Sequence, residues 1–211
     1  MGRKSKADIR RKEIVAGCYR VVEKYGIERT TIKKIAEELG TAPSLIMHYF
    51  KNKDELLVQL VDYLVESMET VYMPKLQQFS TARERLDFFI GETISLTVAQ
   101  SVEDRVFYAC FYMSFYNPAV RKRFIAMYDL DRERSGRIIM DYLQEEGLPI
   151  IDPEPLSMEV IAFIEGLNFV YALYKDWNMV RDSINRFKKL FWISLEEQVE
   201  AAELDGNKKP S

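Results

Sequence analysis

The sequence predicts an all-α fold. Apolar residues recur at three- and four-residue steps along most of the 211 residues, as they do on one face of a helix. The intervening segments are short and carry capping residues, prolines or glycines where helices would begin and end. No segment shows the apolar–polar alternation, flanked by turn residues, that indicates a strand. With 47% hydrophobic residues, the chain can bury a substantial core in one or two domains.

Three helices are predicted within the first fifty residues, and the last two form a helix-turn-helix. The first helix runs from Asp8 to Tyr25, and Gly26 ends it. The second begins after the N-cap Thr31 and stops at Gly40, whose permissive backbone suits a helix end. The third helix follows within a turn.

The third helix has two unlike faces. Thr41 is its predicted N-cap, and Pro43 is tolerated in its first turn, where a missing N–H costs least. One arc is apolar and predicted to be buried: Ala42, Ile46, Tyr49 and Phe50, with Leu45 at its edge. The opposite arc offers groups that can hydrogen-bond to base edges or phosphates, and we expect it to enter a major groove. It comprises Pro43, Ser44, Met47 and His48.

Residues over the whole three-helix unit also have the spacing of a known domain. They are Ile14, Ala16, Gly26, Thr30, Thr31, Ile35, Ala36, Leu39, Gly40, His48, Tyr49, Phe50, Lys53, Glu55, Leu56 and Leu57. With these residues, the first fifty-seven positions resemble the DNA-binding domain of the TetR family of bacterial transcriptional repressors. The resemblance implies that the helix after the turn reads DNA, that the next helix begins at a phosphate, and that the remaining chain dimerises and binds an inducer.

The resemblance and the outward arc together give a set of expected DNA contacts. Ser44, Pro43 and His48 are expected to determine base preference, while Thr31, Lys53 and Tyr49 position the DNA backbone. Two positions depart from the family pattern, because Ser44 stands where a glycine is common and Met47 where most members have a tyrosine that contacts the DNA backbone. The full expected set is Thr31, Thr41, Pro43, Ser44, Met47, His48, Tyr49 and Lys53.

Six further helices are predicted, each from its capping residues and its glycine or proline boundaries. They run from Asn52 to Met73, where Pro74 stops the helix; from Thr81, paired with Glu84 in a capping box, to Gln100; from the cap Ser101 to Tyr116; from Pro118 to Glu146; from Leu156 to Trp177; and from Ser183 to Leu204. The expected organisation is a helix-turn-helix domain at 1–52, a helical effector-binding and dimerisation domain at 53–204, and a flexible tail at 205–211. The helix from Pro118 to Glu146 has a charged middle, Asp129 to Arg137, which is expected to be exposed.

The net charge of −3 conceals an uneven distribution. Residues 1–53 hold thirteen Lys or Arg against six Asp or Glu, so the basic residues are concentrated in the predicted DNA-binding part. Charges often only solvate exposed faces, but their position here favours phosphate. The polar, basic arm at residues 1–7 either lies along DNA or has no role.

The composition disfavours an enzyme. His48 is the only histidine and lies in the predicted reading helix, so a catalytic triad or a histidine-containing zinc site would have to use it. No glycine-rich phosphate loop is present, and no cofactor or metal is expected. Cys18 and Cys110 are far apart in sequence and fit reduced, packed thiols. Without a signal core or a run of roughly 20 apolar residues, the protein is expected in the cytoplasm, away from membranes.

The last two helices are the predicted dimer surface of a homodimer. One stripe contains small residues that would let another helix approach closely: Met158, Ala162, Gly166, Phe169 and Leu173. The other stripe is Ile184, Phe187, Phe191, Leu195 and Val199. Either stripe could instead be intramolecular core, because spacing does not identify the covering partner. A dimer would place two reading helices about 34 to 36 Å apart on a palindromic operator in double-stranded DNA.

A small-molecule effector is expected in the C-terminal part, bound by aromatic residues and a few polar groups. The candidates are Phe107, Tyr108, Phe111, Tyr112, Phe115, Glu165, Asn168 and Tyr171, with Phe163, Tyr174 and Trp177 nearby, although many of these rings could be core. Glu165 on an apolar helix needs a partner, either an arginine such as Arg105 or a cationic ligand held also by aromatic faces. Leu45 to Phe50 resembles the choline-sensing branch of the family.

The sequence therefore predicts a dimeric, ligand-released transcriptional repressor. Such a ligand would act by shifting the connecting helix from Lys53 to Met73. The alternative is a helical protein-interaction module that does not bind DNA, and that protein would lack salt-dependent affinity for duplex DNA.

Overall fold

The computed structural model describes residues 6–98 and 104–206, and every regular element in these two ranges is an α-helix. The all-α prediction is therefore confirmed. The helices are α1 (Lys6–Tyr25), α2 (Ile32–Glu38), α3 (Pro43–Tyr49), α4 (Lys53–Leu76), α5 (Ala82–Val98), α6 (Asp104–Met113), α7 (Pro118–Glu145), α8 (Glu154–Tyr174) and α9 (Trp177–Gly206).

Several helix ends form by the predicted capping chemistry. The Lys34 amide donates to the Thr31 hydroxyl at the start of α2, 3.2 Å away. Thr81 and Glu84 cap each other before α5, each backbone amide donating to the other's side chain at 3.1 and 3.2 Å. Gly40, with φ of +59°, turns the chain out of α2 as predicted.

Other helix boundaries differ from the predictions. α4 continues past Pro74 to Leu76, because a proline in the last turn removes only one intrahelical bond. α6 ends at Met113 instead of Tyr116, and Ser114 closes a tight turn onto the Phe111 carbonyl at 2.9 Å. α9 begins at Trp177, six residues before Ser183, since the Asp176 carboxylate accepts from the amides of the next turn at 2.9 and 3.2 Å.

Three further predictions on the C-terminal part have different outcomes. The middle of α7 is not uniformly exposed: Ser135 is fully buried, and a Cβ added at Gly136 would lie 3.5 Å from the Pro153 ring. α9 extends through Gly206, two residues into the predicted tail. The expected cap Ser101, the end of its preceding helix at Gln100 and residues 207–211 lie outside the described ranges.

The chain divides into two compact units. The first contains Met1–Thr70 and Ser101–Met127, so the start of α4 and all of α6 belong with the predicted helix-turn-helix. Its core includes Ile14, Ile35, Ile46, Phe50 and Leu60, all fully buried. Cys18 and Cys110 are free buried thiols in this unit, as expected, and burial raises the pKa of each to about 12.

The second unit contains Val71–Gln100 and Tyr128–Ser211. In it α5, α8 and α9 pack on one another, with the second half of α7, around one apolar core. Leu86, Ile90, Ile139, Val160 and Phe191 are buried there. α8 contributes one face to this core, which determines the side chains that it leaves exposed.

Candidate DNA-binding surface and effector site

The helix pair α2–α3 packs on the core of the first unit through its inner faces. Ile35 and Ile46 are fully buried and fix the inner faces of the two helices. α2 approaches α1 closely at Gly17, where an added Cβ would lie 2.8 Å from atoms of Leu39. A larger residue at Gly17 would push α2 away, so this glycine helps to place the pair.

The opposite face of α3 is exposed. Pro43, Ser44, Met47 and His48 all lie on the solvent side, and Met47 is 45% exposed despite its apolar side chain. Thr31, at the start of α2, is also exposed. The structure thus brings these predicted DNA-contacting side chains to the surface of one helix pair, free of core packing.

Two details of α3 differ from the predictions. Its N-cap is Ala42, without a side-chain cap, whereas Thr41 uses its amide to donate to the Ala36 carbonyl at 2.9 Å and so completes the end of α2. Ala42 is exposed instead of buried, because it lies before the helix and not on its inner arc. Tyr49 is half-buried between the two faces.

Lys53 is anchored within the same unit. Its ammonium donates to the Ile27 carbonyl in the α1–α2 connection, at 2.9 Å, and its side chain is half-buried. An ammonium has three N–H donors, so this bond leaves donors for a phosphate. Lys53 therefore joins the start of α4 to the loop before α2.

The predicted aromatic candidates on α6 are packed mainly against one another and α7. Phe107 and Phe111 are stacked at 6.4 Å, and each meets the edge of Phe124, at 5.6 and 5.3 Å between ring centroids. Tyr108 is half-buried and touches Phe107 edge-on. The end of the predicted helix is not packed in this way, because α6 stops at Met113 and the chain turns. Side chains there are exposed: Tyr112 by 66%, Phe115 by 74% and Tyr116 by 63%.

Glu165 is the most perturbed carboxyl among the described groups. It is half-buried on α8, and loss of hydration raises its pKa to about 7, with the nearby Asp131 carboxylate adding to the increase. The Tyr128 hydroxyl donates to Glu165 and opposes the shift. The sequence-based candidate Arg105 is exposed and belongs to the other unit.

Tyr128 and Asp131 were missed because they precede Glu165 by more than thirty residues on another helix. The sequence feature that could have indicated them is Tyr128 directly before the charged segment Asp129 to Arg137. That segment was expected to be exposed, so it was not considered as a neighbour of Glu165. The Asp131 carboxylate is partly neutralised by Arg134, which pairs with it at 3.3 Å. The same guanidinium lies 5.4 Å from the centroid of the Tyr72 ring.

The other polar candidates on α8 are close to Glu165 in sequence. Asn168, one turn later, is half-buried, and its buried Oδ1 atom has no hydrogen-bond partner among the described groups. Tyr171 is half-buried and packs edge-on against Trp177 at 6.4 Å. Phe163 stacks on Phe187 at 3.8 Å, so these two rings join α8 to α9.

The two predicted dimer stripes have different positions. On α8 the whole stripe is exposed in the single chain, with Met158 at 47%, Phe169 at 53% and Leu173 at 67%, and with Ala162 and Gly166 between them. On α9 the stripe faces inward: Ile184, Phe191, Leu195 and Val199 are buried, and Phe187 is half-buried. The outward apolar residues of α9 are instead Leu190 and Ile193, with Leu204.

By length and composition alone, α8 is also apolar enough to cross a membrane. This is weak support for a membrane helix, because one side of α8 lies in the core of the second unit, where Leu156, Val160 and Ile164 are buried. The same composition suits a helix with a core on one side and a protein partner on the other.

An exposed reading helix on a basic helix-turn-helix, followed by a helical second unit, defines a DNA-binding regulator of transcription and not an enzyme. Two family models match the chain: bacterial regulatory proteins of the tetR family over residues 14–60, and the tetracyclin repressor-like C-terminal domain over residues 81–196. The protein belongs to the TetR family, as the resemblance indicated.

Similar proteins agree with this assignment. The transcriptional regulator BetI of Rhizobium meliloti is 28% identical over 167 residues, which cover 75% of this chain and 76% of BetI. BetI of Escherichia coli is 23% identical over 163 residues, covering 75% and 80%. Among solved structures, a transcriptional regulator from Saccharomonospora viridis in complex with choline has a TM-score of 0.72 and 23% identity, covering 86% of this chain and 96% of that one. FadR from Bacillus subtilis in complex with stearoyl-CoA has a TM-score of 0.64 and 17% identity, covering 85% and 96%.

Proposed function

We propose that the protein is a cytoplasmic homodimeric repressor that binds a palindromic operator and is released by a small organic cation. The observation that carries the DNA-binding part is the exposed arc of α3, whose side chains are not used in the core. A single α3 helix reads only a few base pairs. A two-fold dimer supplies a second reading helix about one turn of DNA away, which makes a palindromic site the expected target.

The exposed stripe on α8 supports the dimer. A Cβ added at Gly166 meets nothing within 4 Å, so the chain itself leaves this part of the helix uncovered. Small residues such as Ala162 and Gly166 permit close helix approach, and the flanking Met158, Phe169 and Leu173 supply apolar area. A second copy of α8, crossing at Gly166, would remove this area from water.

Glu165 supports a cationic effector. A carboxyl held in poorly hydrated surroundings gains most from a positive charge, and the nearby Asp131 carboxylate is already paired with Arg134. A quaternary or protonated amine would supply that charge. The Tyr171 ring on the same helix already has the Lys175 ammonium 5.0 Å from its centroid, so the proposal depends on the Glu165 carboxyl and not on this ring. Choline in the similar Saccharomonospora viridis regulator makes this class of ligand the first to test.

Release requires the ligand to bind the DNA-free arrangement more tightly than the DNA-bound one. A ligand that binds both equally well shifts nothing, whatever its affinity. The acceptor groups near Glu165 come from two helices, α7 and α8. We therefore expect the cation to stabilise one spacing of these helices, and this spacing to be the one that disfavours operator binding.

Selection of duplexes from a random library tests the DNA-binding part. We expect a two-fold-symmetric site whose affinity falls steeply with salt, because phosphate contacts release counterions. Failure to recover a symmetric site, together with salt-independent binding, would favour the protein-interaction module instead.

Choline and its uncharged isostere 3,3-dimethylbutan-1-ol test the effector part on the selected duplex. Choline should weaken operator binding, and the neutral isostere of the same shape should not, since only the charge differs. Equal effects of the two compounds, or none from any organic cation in a panel, would reject a cationic effector while leaving the DNA-binding proposal intact.

A further inference from the structure

One side chain outside the helix-turn-helix contacts the end of its reading helix. The Arg11 guanidinium, on α1, donates through Nη1 to the Tyr49 carbonyl at 2.5 Å. Tyr49 is the last residue of α3, where carbonyl groups lack intrahelical donors and carry the negative end of the helix dipole. A cation at this end satisfies a carbonyl that the short helix leaves unpaired.

The same guanidinium makes two more contacts at the α3–α4 junction. Its central carbon lies 4.4 Å from the centroid of the Phe50 ring, and Nη2 is 3.3 Å from a carboxylate oxygen of Glu55. The other oxygen of Glu55 accepts from the Lys51 amide at 2.8 Å. These contacts hold the pKa of Glu55 below its usual range, with the Lys51 bond the largest cause. Arg11 thus links the residues before, within and after the turn that follows α3.

α3 is a short helix whose inner face is fixed by apolar packing. It spans only seven residues, and its N-cap Ala42 makes no side-chain bond. The buried Ile46 and Phe50 and the half-buried Leu45 fix which side faces inward, but apolar contacts are non-directional and oppose a rotation of the helix less than directed hydrogen bonds do. The planar guanidinium, held by a carbonyl, a ring and a carboxylate, opposes such a rotation at the C-terminal end.

We infer that Arg11 is a positioning residue for DNA recognition: it sets the orientation of α3 in the groove without contacting DNA itself. A lysine would keep the charge but could not stack on Phe50 and donate in two directions at once. The consequence for binding is specific. Misdirecting α3 weakens the base contacts of the exposed arc, whereas phosphate contacts made elsewhere persist.

The test compares Arg11→Lys, Arg11→Gln and the neighbouring control Arg10→Gln on two probes. Arg10 is matched in charge and helix, and it pairs with Glu13 within α1 at 2.6 Å. The probes are the duplex selected by the wild-type protein and a random-sequence duplex of equal length, each titrated over a range of salt. The selected duplex rests on the proposed function, and the random duplex does not.

Arg11→Lys should bind the selected duplex about tenfold more weakly, as loss of one charge-assisted contact implies, and the random duplex nearly as well as wild type. The slope of log affinity against log salt should stay the same. Arg11→Gln should show the same selective loss, whereas Arg10→Gln should affect both probes alike. The contrary result would be a salt slope whose magnitude is smaller by about one in Arg11→Gln, together with equal weakening on both probes. It would make Arg11 a phosphate contact and overturn the inference.

Hydrogen exchange of the free protein separates this inference from the operator proposal. Faster exchange at the Phe50 and Lys51 amides in Arg11→Lys, with α5 and α8 unchanged, is expected even if selection recovers no site. If Arg11→Gln fails to fold, the lysine variant alone decides. A positioning role would be refuted if Arg11→Lys exchanged its amides at the same rate as the wild type and bound both probes with the same affinity.

Discussion

Replacing Glu165 by glutamine should stabilise the ligand-free protein at alkaline pH. The amide has the same shape and can still accept from Tyr128, but it cannot ionise. A pKa of about 7 in place of the ordinary 4.5 means that ionised Glu165 costs the folded state about 3 kcal/mol. This is an upper limit, because the half-buried side chain retains some water.

The direction of the pH effect follows from proton binding. Between pH 4.5 and 7 the folded protein binds more protons at Glu165 than the unfolded chain, so this group lowers the free energy of unfolding as pH rises through that window. At pH 8 the wild type bears the whole cost, and Glu165→Gln does not. At pH 4 the carboxyl is neutral in the folded protein and mostly neutral in the unfolded chain, so the two proteins should have similar stability.

Urea unfolding followed by circular dichroism, without ligand, measures this difference. We expect Glu165→Gln to be more stable than wild type by up to about 3 kcal/mol at pH 8, or several degrees in Tm. Glu159→Gln, an exposed carboxyl on the same helix, is the matched control and should change little at either pH. A glutamine variant no more stable than wild type at pH 8 would show that Glu165 ionises without cost, and the argument for a cationic effector would lose its basis.

Three other predictions concern the ligand, the dimer and the reading unit. Choline affinity, measured by calorimetry, should fall about tenfold for each pH unit below 7, because the cation needs ionised Glu165; a flat profile from pH 5.5 to 8 would contradict this. Gly166→Leu should leave the subunit folded, since its Cβ has open space, and convert dimers to monomers in ultracentrifugation, whereas an unchanged dimer would place the interface elsewhere. Thr31→Ala should lower the free energy of unfolding by about 1 kcal/mol through loss of the α2 cap, and Thr31→Ser should not.

Local signals gave the most accurate part of the fold. The caps at Thr31 and at Thr81–Glu84 were predictable because both partners lie within one turn of the chain. The start of α9 was missed although Asp176 was a visible capping residue, since the apolar pattern only becomes regular from Ser183. The helix through Pro74 was missed for another reason: proline weakens a last turn, but buried Tyr72 and Leu76 on either side favour its continuation.

The candidate site was predictable to the extent that it depends on one helix at a time. The exposed arc of α3 follows from its periodicity, and the structure places those side chains outward. Periodicity does not identify the partner of a stripe, so Phe191 and Leu195 appeared equivalent to the α8 stripe although they are core. The Tyr128 and Asp131 neighbours of Glu165, and the Arg11 contact with Tyr49, join residues more than thirty positions apart, which no local pattern contains.

The position of Glu165 on α8 links the proposed effector site to the proposed dimer surface. At about 100° per residue, Leu156, Val160 and Ile164 define the buried side of this helix, the stripe around Gly166 lies opposite, and Glu165 falls between the two. A cation bound at Glu165 would contact α8, the same helix that carries the stripe. If the cation moved α8, it would also change the crossing of two copies of α8 in the proposed dimer. Effector response should therefore depend on the dimer contact itself. Gly166→Ala, which adds only a methyl group to that crossing, should change the choline response while leaving Glu165 and its neighbours in place.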